Sequence, residues 1–235
     1  TLTTFARASP QAPLRYVGTQ IVPNGGAGSN RLMGIRRSPD DRFLYLFWGW
    51  PYSSDEKIAV YSIPAVAGLP NLDQSYDWAD VPVSIEDFGF SPDWTSLYIG
   101  GNRIQAFQRD SASGLLSFVE EHAGRARDIA VSPNGDHVYS VFRGDAMRIW
   151  TRNASNGTLT NTAEASGVSA NQLAISANGS EAFSSQEQGF AHWRVDSSTG
   201  LFSDPTEYET GYPVHRMDVA PSGRWVAVSG ASGGL

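Results

Sequence analysis

The 235-residue chain contains no cysteine, which excludes disulfide bonds and any metal site built on thiolates. Charged residues make up only 17% of the sequence, and the net charge is −7. Duplex nucleic acids and anionic membrane surfaces are bound through basic patches, so this charge balance argues against both as partners. No apolar run approaches the roughly 20 residues of a membrane-spanning helix, and we expect no membrane insertion.

Motifs for common cofactors are missing as well. The four histidines have no metal-ligand spacing, and there is no phosphate loop, dinucleotide fingerprint or nucleophile elbow. We therefore expect neither a metal nor a cofactor. The chain does not begin with a signal peptide, because no basic segment precedes an apolar core. Abundant Gly and turns rich in Ser, Thr and Asn are nevertheless usual for exported β proteins. We expect an extracellular, periplasmic or cell-surface location, with a cytoplasmic one as the alternative.

The sequence does contain a repeated set of short strands, which is clearest over residues 127–152. Alternating apolar and polar residues predict strands at 128–132, 137–142 and 147–152. The turn at 132–135 is Ser-Pro-Asn-Gly, in which Pro presets φ and Gly supplies the positive φ of the last position. A second turn leads into a fourth strand. A sheet of four such strands is marginal alone and must stack on copies of itself.

Copies of both turns are present elsewhere in the chain. The first turn recurs at intervals of 41 to 53 residues, and the second follows it at a nearly fixed offset. A period in the forties with four strands per unit is the signature of a β-propeller. The sequence therefore predicts an all-β fold with residues 1–235 as a single propeller domain. The first turn lies at 38–41, 91–94, 132–135, 176–179 and 220–223, and the second at 110–114, 153–157 and 196–200.

The two ends of the chain each resemble half of a repeat. Residues 225–229 match the second strand of the unit, whereas residues 2–7 and 14–21 match the third and fourth. This predicts five four-stranded blades, the closing blade being built from both termini, which removes open sheet edges. The alternative is a fragment of a larger, seven-bladed propeller that is cut at a repeat boundary.

Long connections are concentrated on one predicted face of the propeller. The turns on the other face are short and uniform, whereas residues 23–30, 49–56 and 64–83 are long, and a fourth strand within 64–83 is predicted to be degenerate or short. Aromatic side chains in this loop-rich face suit stacking on sugar rings or docking on a partner. The alternative is that some of them fold back and fill the gap. The candidates are Trp48, Trp50, Tyr52, Tyr76 and Trp78.

A second set of polar residues stands where each inner strand begins, at the predicted mouth of a central channel. Arg31 and Arg125 are the basic candidates for holding a small anionic or hydroxylated ligand. Glu86 or Asp128 could serve as acid or base beside them. The alternative is that these charges pair with one another in a wet channel. The candidate catalytic residues are Glu86, Arg127, Asp128, His215 and Arg216.

The repeat resembles that of the lactonase-type β-propellers. Their pattern of Ser-Pro-Asp-Gly, a Val-Tyr strand, an apolar-Phe strand and an Asp/Thr-Gly-Leu turn is matched at 132–160 and 91–121. Enzymes of that family, which resemble the seven-bladed 6-phosphogluconolactonase, place Glu, Arg and His around the channel mouth, often in a Pro-Arg-His element. The corresponding tripeptides here are Ala-Arg-Asp at 126–128 and Val-His-Arg at 214–216. The resemblance implies the fold, and a lactonase as one possible activity.

Two functions follow from these patterns. The first is a non-catalytic propeller of an exported or surface-associated protein, which binds a glycan, a peptide or a neighbouring subunit through the loop-rich face and the channel mouth. It can be part of a larger assembly or a longer chain. The alternative is a lactonase-like hydrolase that acts on a small sugar-acid lactone at the channel mouth. The sequence favours the non-catalytic function, because its motifs specify blade architecture more than activity.

Overall fold

The computed structural model describes residues 1–7, 11–21, 31–49, 57–77, 85–142, 146–166, 170–203 and 205–230. These residues form twenty β-strands and no helix, so the predicted all-β class is confirmed. None of the described residues forms a helix that could cross a membrane. The strands in the first half of the chain are β1 (Leu2–Ala6), β2 (Arg15–Gln20), β3 (Arg31–Arg37), β4 (Phe43–Gly49), β5 (Lys57–Ser62), β6 (Asn71–Asp77), β7 (Asp87–Phe90), β8 (Ser96–Gly100), β9 (Arg103–Arg109) and β10 (Leu116–Ala123). Those in the second half are β11 (Ala126–Val131), β12 (His137–Phe142), β13 (Ala146–Arg152), β14 (Leu159–Ser166), β15 (Leu173–Ile175), β16 (Glu181–Ser185), β17 (Gly189–Arg194), β18 (Thr206–Glu209), β19 (Val214–Val219) and β20 (Val226–Gly230).

The described chain divides into two compact units. The first comprises residues 1–85 with 110–115 and contains the β1–β2 hairpin and the four-stranded sheet β3–β6. The second comprises residues 86–109 with 116–235 and contains the sheets β7–β10, β11–β14 and β15–β18 and the pair β19–β20. Every four-stranded sheet is an antiparallel meander, as the repeat predicts. Because the two terminal hairpins belong to different units, the five-blade count, the closing blade and the single domain stay predictions.

The prediction of a degenerate fourth strand within 64–83 is wrong. β6 is a regular strand of seven residues that pairs with β5 from Lys57 to Ser62, with one irregularity between Val60 and Tyr61. Most residues of β6 are polar and its exposed side chains lack strict alternation, which is why the sequence pattern did not reveal it. The first sheet is therefore as complete as the three that follow.

The predicted first turn is held by the hydroxyl of its leading serine. Ser38, Ser91, Ser132 and Ser176 each donate to the Asp or Asn two residues later at 2.5–2.7 Å. Each hydroxyl also accepts the backbone N–H five residues later at 2.9–3.0 Å. The fourth position needs a positive φ, which Gly provides in the later turns, whereas Asp41 and Trp94 adopt it at 59° and 57°. The short turns are thus built by local hydrogen bonds between the leading Ser and either an Asp or an Asn two residues later.

Within the second unit, buried polar contacts join one sheet to the next. The Arg152 guanidinium on β13 is only 2% exposed at the side chain. It donates to both oxygens of Asp93 at 2.9 and 3.1 Å, and to Thr95 and Ser96 at 2.8 and 3.2 Å. It also donates to the Gly135 carbonyl at 3.1 Å. The third strand of one sheet is therefore tied to the first turn of the preceding sheet.

Candidate functional site

The inner strands β7, β11, β15 and β19 are successive neighbours in the second unit. Most of the candidate catalytic residues stand at one of two aligned positions on these strands. We call the position four residues before the first turn the latch slot, and the position just before it the rim slot. The latch slots hold Asp87, Asp128, Gln172 and Arg216. The rim slots hold Glu86, Arg127, Asn171 and His215.

Three latch-slot side chains accept a hydrogen bond from the backbone of the next inner strand. The Oδ2 atom of Asp87 accepts the Ile129 N–H at 3.0 Å. The Oδ2 atom of Asp128 accepts the Leu173 N–H at 2.5 Å. The same contact recurs at the next inner strand, where the Gln172 Oε1 atom accepts the Met217 N–H at 2.7 Å. In every case the donor is the residue directly after the next latch slot.

Asp128 is thus committed to holding the sheets together. Its residue is 7% exposed, and burial together with the charge and hydrogen bond of Asp87 raises the pKa of its carboxyl well above the usual value. The Leu173 N–H and the positive charge of Arg216 act in the opposite direction. The candidate role of Asp128 as an acid or base stays a prediction.

Two of the four rim slots lie at β-bulges. The register of β11 with β12 shifts between Ala126 and Asp128, which leaves Arg127 as the extra residue. The register of β19 with β20 shifts in the same way between Val214 and Arg216, which leaves His215 as the extra residue. Bulges redirect side chains and are frequent beside active sites. Both bulged positions coincide with residues that the sequence marks as catalytic candidates.

The rim-slot side chains differ in how far they are already engaged. His215 is exposed, whereas Arg127 donates through Nη1 to the Asn171 Oδ1 atom at 2.6 Å. The buried Nε atom of Arg127 has no hydrogen-bond partner among the described residues. Asn171 is held in turn, because its backbone N–H donates to the Ser185 hydroxyl at 3.0 Å. Because the side chain is only partly buried, a ligand could reach the Nη end of the guanidinium but not the enclosed Nε atom.

Glu86 and Arg125 form the second engaged pair. The Nε and Nη2 atoms of Arg125 lie 2.7 and 2.6 Å from the Glu86 Oε1 atom. Glu86 is the more buried partner, with a side chain 12% exposed compared with 30% for Arg125. This contact is the charge pairing that the sequence offered as the alternative to ligand binding, and it fixes the Glu86 carboxylate in one orientation.

The aromatic ligand-binding candidates are not brought together by the described residues. Trp48 is 6% exposed and packs in the core of the first unit with Leu46, Ala59 and Tyr61, so it is wrong as a ligand platform. Tyr76 is half-buried and its hydroxyl accepts a hydrogen bond from Gln74 at 3.0 Å. For Arg31 the structure describes the backbone, which begins β3 opposite Gly49. Trp50, Tyr52 and Trp78 lie outside the described residues.

Other features of the described residues do not add a second site. No group of three or more His, Asp or Glu among them could hold a metal ion. Two grooves of about 710 and 660 Å³ lie in the first unit and contain none of the candidate residues. The sequence pattern predicted the charged residues at the channel mouth, but it did not predict the hydrogen bonds that the latch-slot side chains accept from the next strand. The signal that could have found them is the recurrence of an acceptor side chain at one fixed distance before the first turn.

Comparison with known proteins establishes the fold. No family model and no curated protein matches the chain. A solved structure from Bacteroides uniformis ATCC 8492, provisionally assigned as a 6-phosphogluconolactonase, has a TM-score of 0.71 at 19% identity and covers 90% of this chain and 66% of its own. A similarly assigned protein from Bacteroides fragilis NCTC 9343 has a TM-score of 0.67 at 20% identity, with 90% and 65% covered. The Kuenenia stuttgartiensis hydrazine synthase structure has a TM-score of 0.59 at 16% identity, with 87% and 57% covered.

The predicted resemblance to lactonase-type propellers is therefore confirmed at the level of fold. The chain spans about two thirds of the length of the two lactonase-assigned structures. The likeness to hydrazine synthase shows that this fold is also found in a protein with a different name and chemistry, so the fold alone does not decide the activity.

Proposed function

We propose that this chain carries a lactonase-like hydrolytic site that takes a small sugar-acid lactone at its rim slots. The observation that carries the proposal is the pair of bulges that present Arg127 and His215 in the same slot of two repeats. The likeness to structures assigned as 6-phosphogluconolactonases supports the same choice. We favour this function over the non-catalytic one that the sequence alone suggested.

Each rim-slot residue has a role that its chemistry allows. His215 is exposed, and an imidazole is the side chain best suited to accept a proton from water near neutral pH. The water oxygen then forms a bond to the lactone carbonyl carbon, and the Nη end of the Arg127 guanidinium stabilises the oxyanion. The ring C–O bond breaks, the proton passes from His215 to the departing oxygen, and the product is the open hydroxy acid. Glu86, oriented by Arg125, hydrogen-bonds substrate hydroxyls.

The test is turnover of a panel of lactones with and without an acidic substituent, followed by direct titration of the released acid. His215→Ala and Arg127→Ala should each lower kcat/KM by about 100-fold or more. Arg148→Ala is the matched control, because this residue forms a surface pair with Glu164 and should leave turnover unchanged. Equal rates in the wild type and both rim-slot variants, or no turnover of any lactone, would remove the assignment.

The second candidate is a binding propeller without catalysis. It is favoured by the engagement of Glu86 with Arg125 and of Arg127 with Asn171, since these contacts already satisfy much of the rim. In this case an exported or surface-associated protein would hold a glycan, a peptide or a neighbouring subunit there, and neither nucleic acid nor membrane would be a partner. Calorimetric binding of a sugar acid without any hydrolysis of its lactone would select this function.

We also propose that the two terminal hairpins complete one four-stranded blade, the fifth of a closed ring. β1 and β2 match the third and fourth strands of the repeat, whereas β19 and β20 form its first two. In the complete sheet of β11–β14, Tyr139 lies opposite Ile149. The aligned residues at the ends are Ala227 and Thr4.

Because the chain has no cysteine, this register can be tested with a single engineered pair. Thr4→Cys with Ala227→Cys should form a disulfide within one molecule under mild oxidation. Crosslinks between molecules, or free thiols, would favour the alternative that these repeats are a section of a larger, seven-bladed propeller. The greater length of the lactonase-assigned structures fits that alternative.

A further inference from the structure

Two of these latch-slot carboxyl groups, the buried one of Asp128 and the half-buried one of Asp87, lie side by side. The Asp87 carboxyl binds the N–H of Ile129, and Ile129 directly follows Asp128. The same geometry at the next sheet would place a third acid beside them, but that latch slot holds the neutral amide of Gln172. The acid pair is therefore confined to the junction between β7 and β11.

A proton is needed for this arrangement. Each carboxylate spends its Oδ2 atom on a backbone N–H, and the two groups hydrogen-bond each other, which two ionised carboxylates cannot do. With one proton, the neutral acid donates to the ionised one and both latches remain satisfied. Without it, two negative charges face each other and one of them, that of Asp128, is buried, which is unfavourable.

Among the described residues, one cation of a neighbouring inner strand acts on Asp128. Arg216 on β19 favours ionisation of Asp128, whereas β15 has no titratable residue. Arg125 is paired with Glu86, whereas Arg127 donates to the neutral Asn171 and keeps its positive charge one residue before Asp128. The remaining titratable residues on the elements that pack around β11 are Tyr98 on β8, whose hydroxyl donates to the Gly157 carbonyl, His137 and Tyr139 on β12, and His215 and Asp218 on β19.

We propose that Asp87 and Asp128 form a pH-sensitive joint between the sheets β7–β10 and β11–β14, closed by one shared proton and loosened when that proton leaves. The joint does not depend on whether the rim slots hydrolyse a lactone. It acts on the rim all the same, because β11 carries Arg127 one residue before Asp128.

The sign of the effect follows from the raised affinity of the folded pair for its proton. An unfolded Asp loses its proton near pH 3.9, whereas the folded pair keeps it to higher pH. The stabilisation is thus complete below about pH 4 and is lost as the pH rises through the range in which the folded pair ionises. While one proton is released, the folding equilibrium constant falls by up to tenfold per pH unit.

Asp128→Asn tests the joint directly. The Asn amide oxygen can accept the Leu173 N–H, and its NH₂ group can donate to Asp87, so the variant copies the protonated state at every pH. Urea denaturation of the full chain between about pH 5 and pH 9 should give a folding constant that falls with pH in the wild type. Over the same pH range, the fall in the folding constant of Asp128→Asn should be at least tenfold smaller than the fall in the wild type. Asp218→Asn, which changes an exposed carboxyl on β19, should keep the wild-type slope.

A second measurement keeps the test decisive if Asp128→Asn does not fold. In the wild-type protein, hydrogen exchange at the Ile129 and Leu173 amides should accelerate with pH by more than the tenfold per unit of base-catalysed exchange. Amides inside β13, such as Ile149, serve as the internal control. Parallel pH slopes for the wild type and Asp128→Asn, or exchange at Ile129 and Leu173 that follows the control amide, would overturn the proposal.

Discussion

Replacing Arg152 with methionine tests how strongly neighbouring sheets of the second unit are joined. The guanidinium donates five hydrogen bonds, of which two reach the Asp93 carboxylate. Methionine keeps most of the apolar length of the side chain and removes all of these donors. The substitution therefore isolates the polar contribution, because the apolar packing around the stem is largely preserved.

The expected magnitude follows from the burial of the two partners. Removing one partner of a buried ion pair typically destabilises a protein by about 3–5 kcal/mol. The Arg152 side chain is 2% exposed, but that of Asp93 is 45% exposed, so water can rehydrate the carboxylate that remains. We therefore expect a loss near the lower end, about 3 kcal/mol, which is a fall of roughly 100-fold in the folding equilibrium constant.

The assay is urea denaturation at neutral pH, with Arg148→Met as the matched control. Arg148 lies on the same strand, and its pair with Glu164 has side chains that are 29% and 49% exposed. Arg148 also donates to the Ala123 carbonyl and lies over the Phe142 ring, and these partly exposed contacts together contribute about 1–2 kcal/mol. If Arg152→Met costs no more than Arg148→Met, the reasoning that this buried cation joins the two sheets is refuted.

Three further predictions concern single residues. Gly114→Ala should lower the unfolding free energy by about 3 kcal/mol, because φ is +74° and the added methyl would overlap the Phe43 ring. Gly223→Ala, with φ of +69° and open space around it, should lower it by only about 1–2 kcal/mol. Similar losses in the two variants would contradict the steric argument. Burial raises the pKa of Asp93, but hydrogen bonds outweigh it and hold that pKa well below its usual range, so unfolding free energy should drop as pH falls below about 4, and Asp93→Asn should flatten that drop in acid titrations. Burial raises the pKa of Tyr139 to about 12, so absorbance titration of Tyr139→Phe should lose only a step near that pH and match the wild type at lower pH.

The repeated strands and first turns could be predicted because they depend on local sequence. The Ser132 hydroxyl reaches only two and five residues along the chain, so the motif and its geometry travel together. β6 was harder, since its edge position tolerates polar residues and its structure comes from pairing with β5. Local patterns therefore identify a strand well only when one of its faces must be apolar.

Only part of the candidate site could be predicted, because some of its features depend on contacts with distant residues and not on local sequence. Arg127 and His215 stand at a recognisable place before the first turn, but their bulges depend on the register of the neighbouring strand. The role of Asp128 was missed because its partner is a backbone N–H 45 residues away, and a backbone donor leaves no mark in the sequence. Trp48 was misplaced because β4 is a middle strand, in which side chains on both faces are covered.

The latch slots also bear on how such chains grow. The two middle repeats, with Asp128 and Gln172, each carry an acceptor side chain for the following repeat and a backbone donor for the preceding one, so a duplicate of either would arrive with both halves of its connection. The slot accepts an acid or an amide without changing the bond it makes, as Asp128 and Gln172 show. Lineages could therefore alter the charge of the inner surface one repeat at a time, while every copy stays joined to its neighbours.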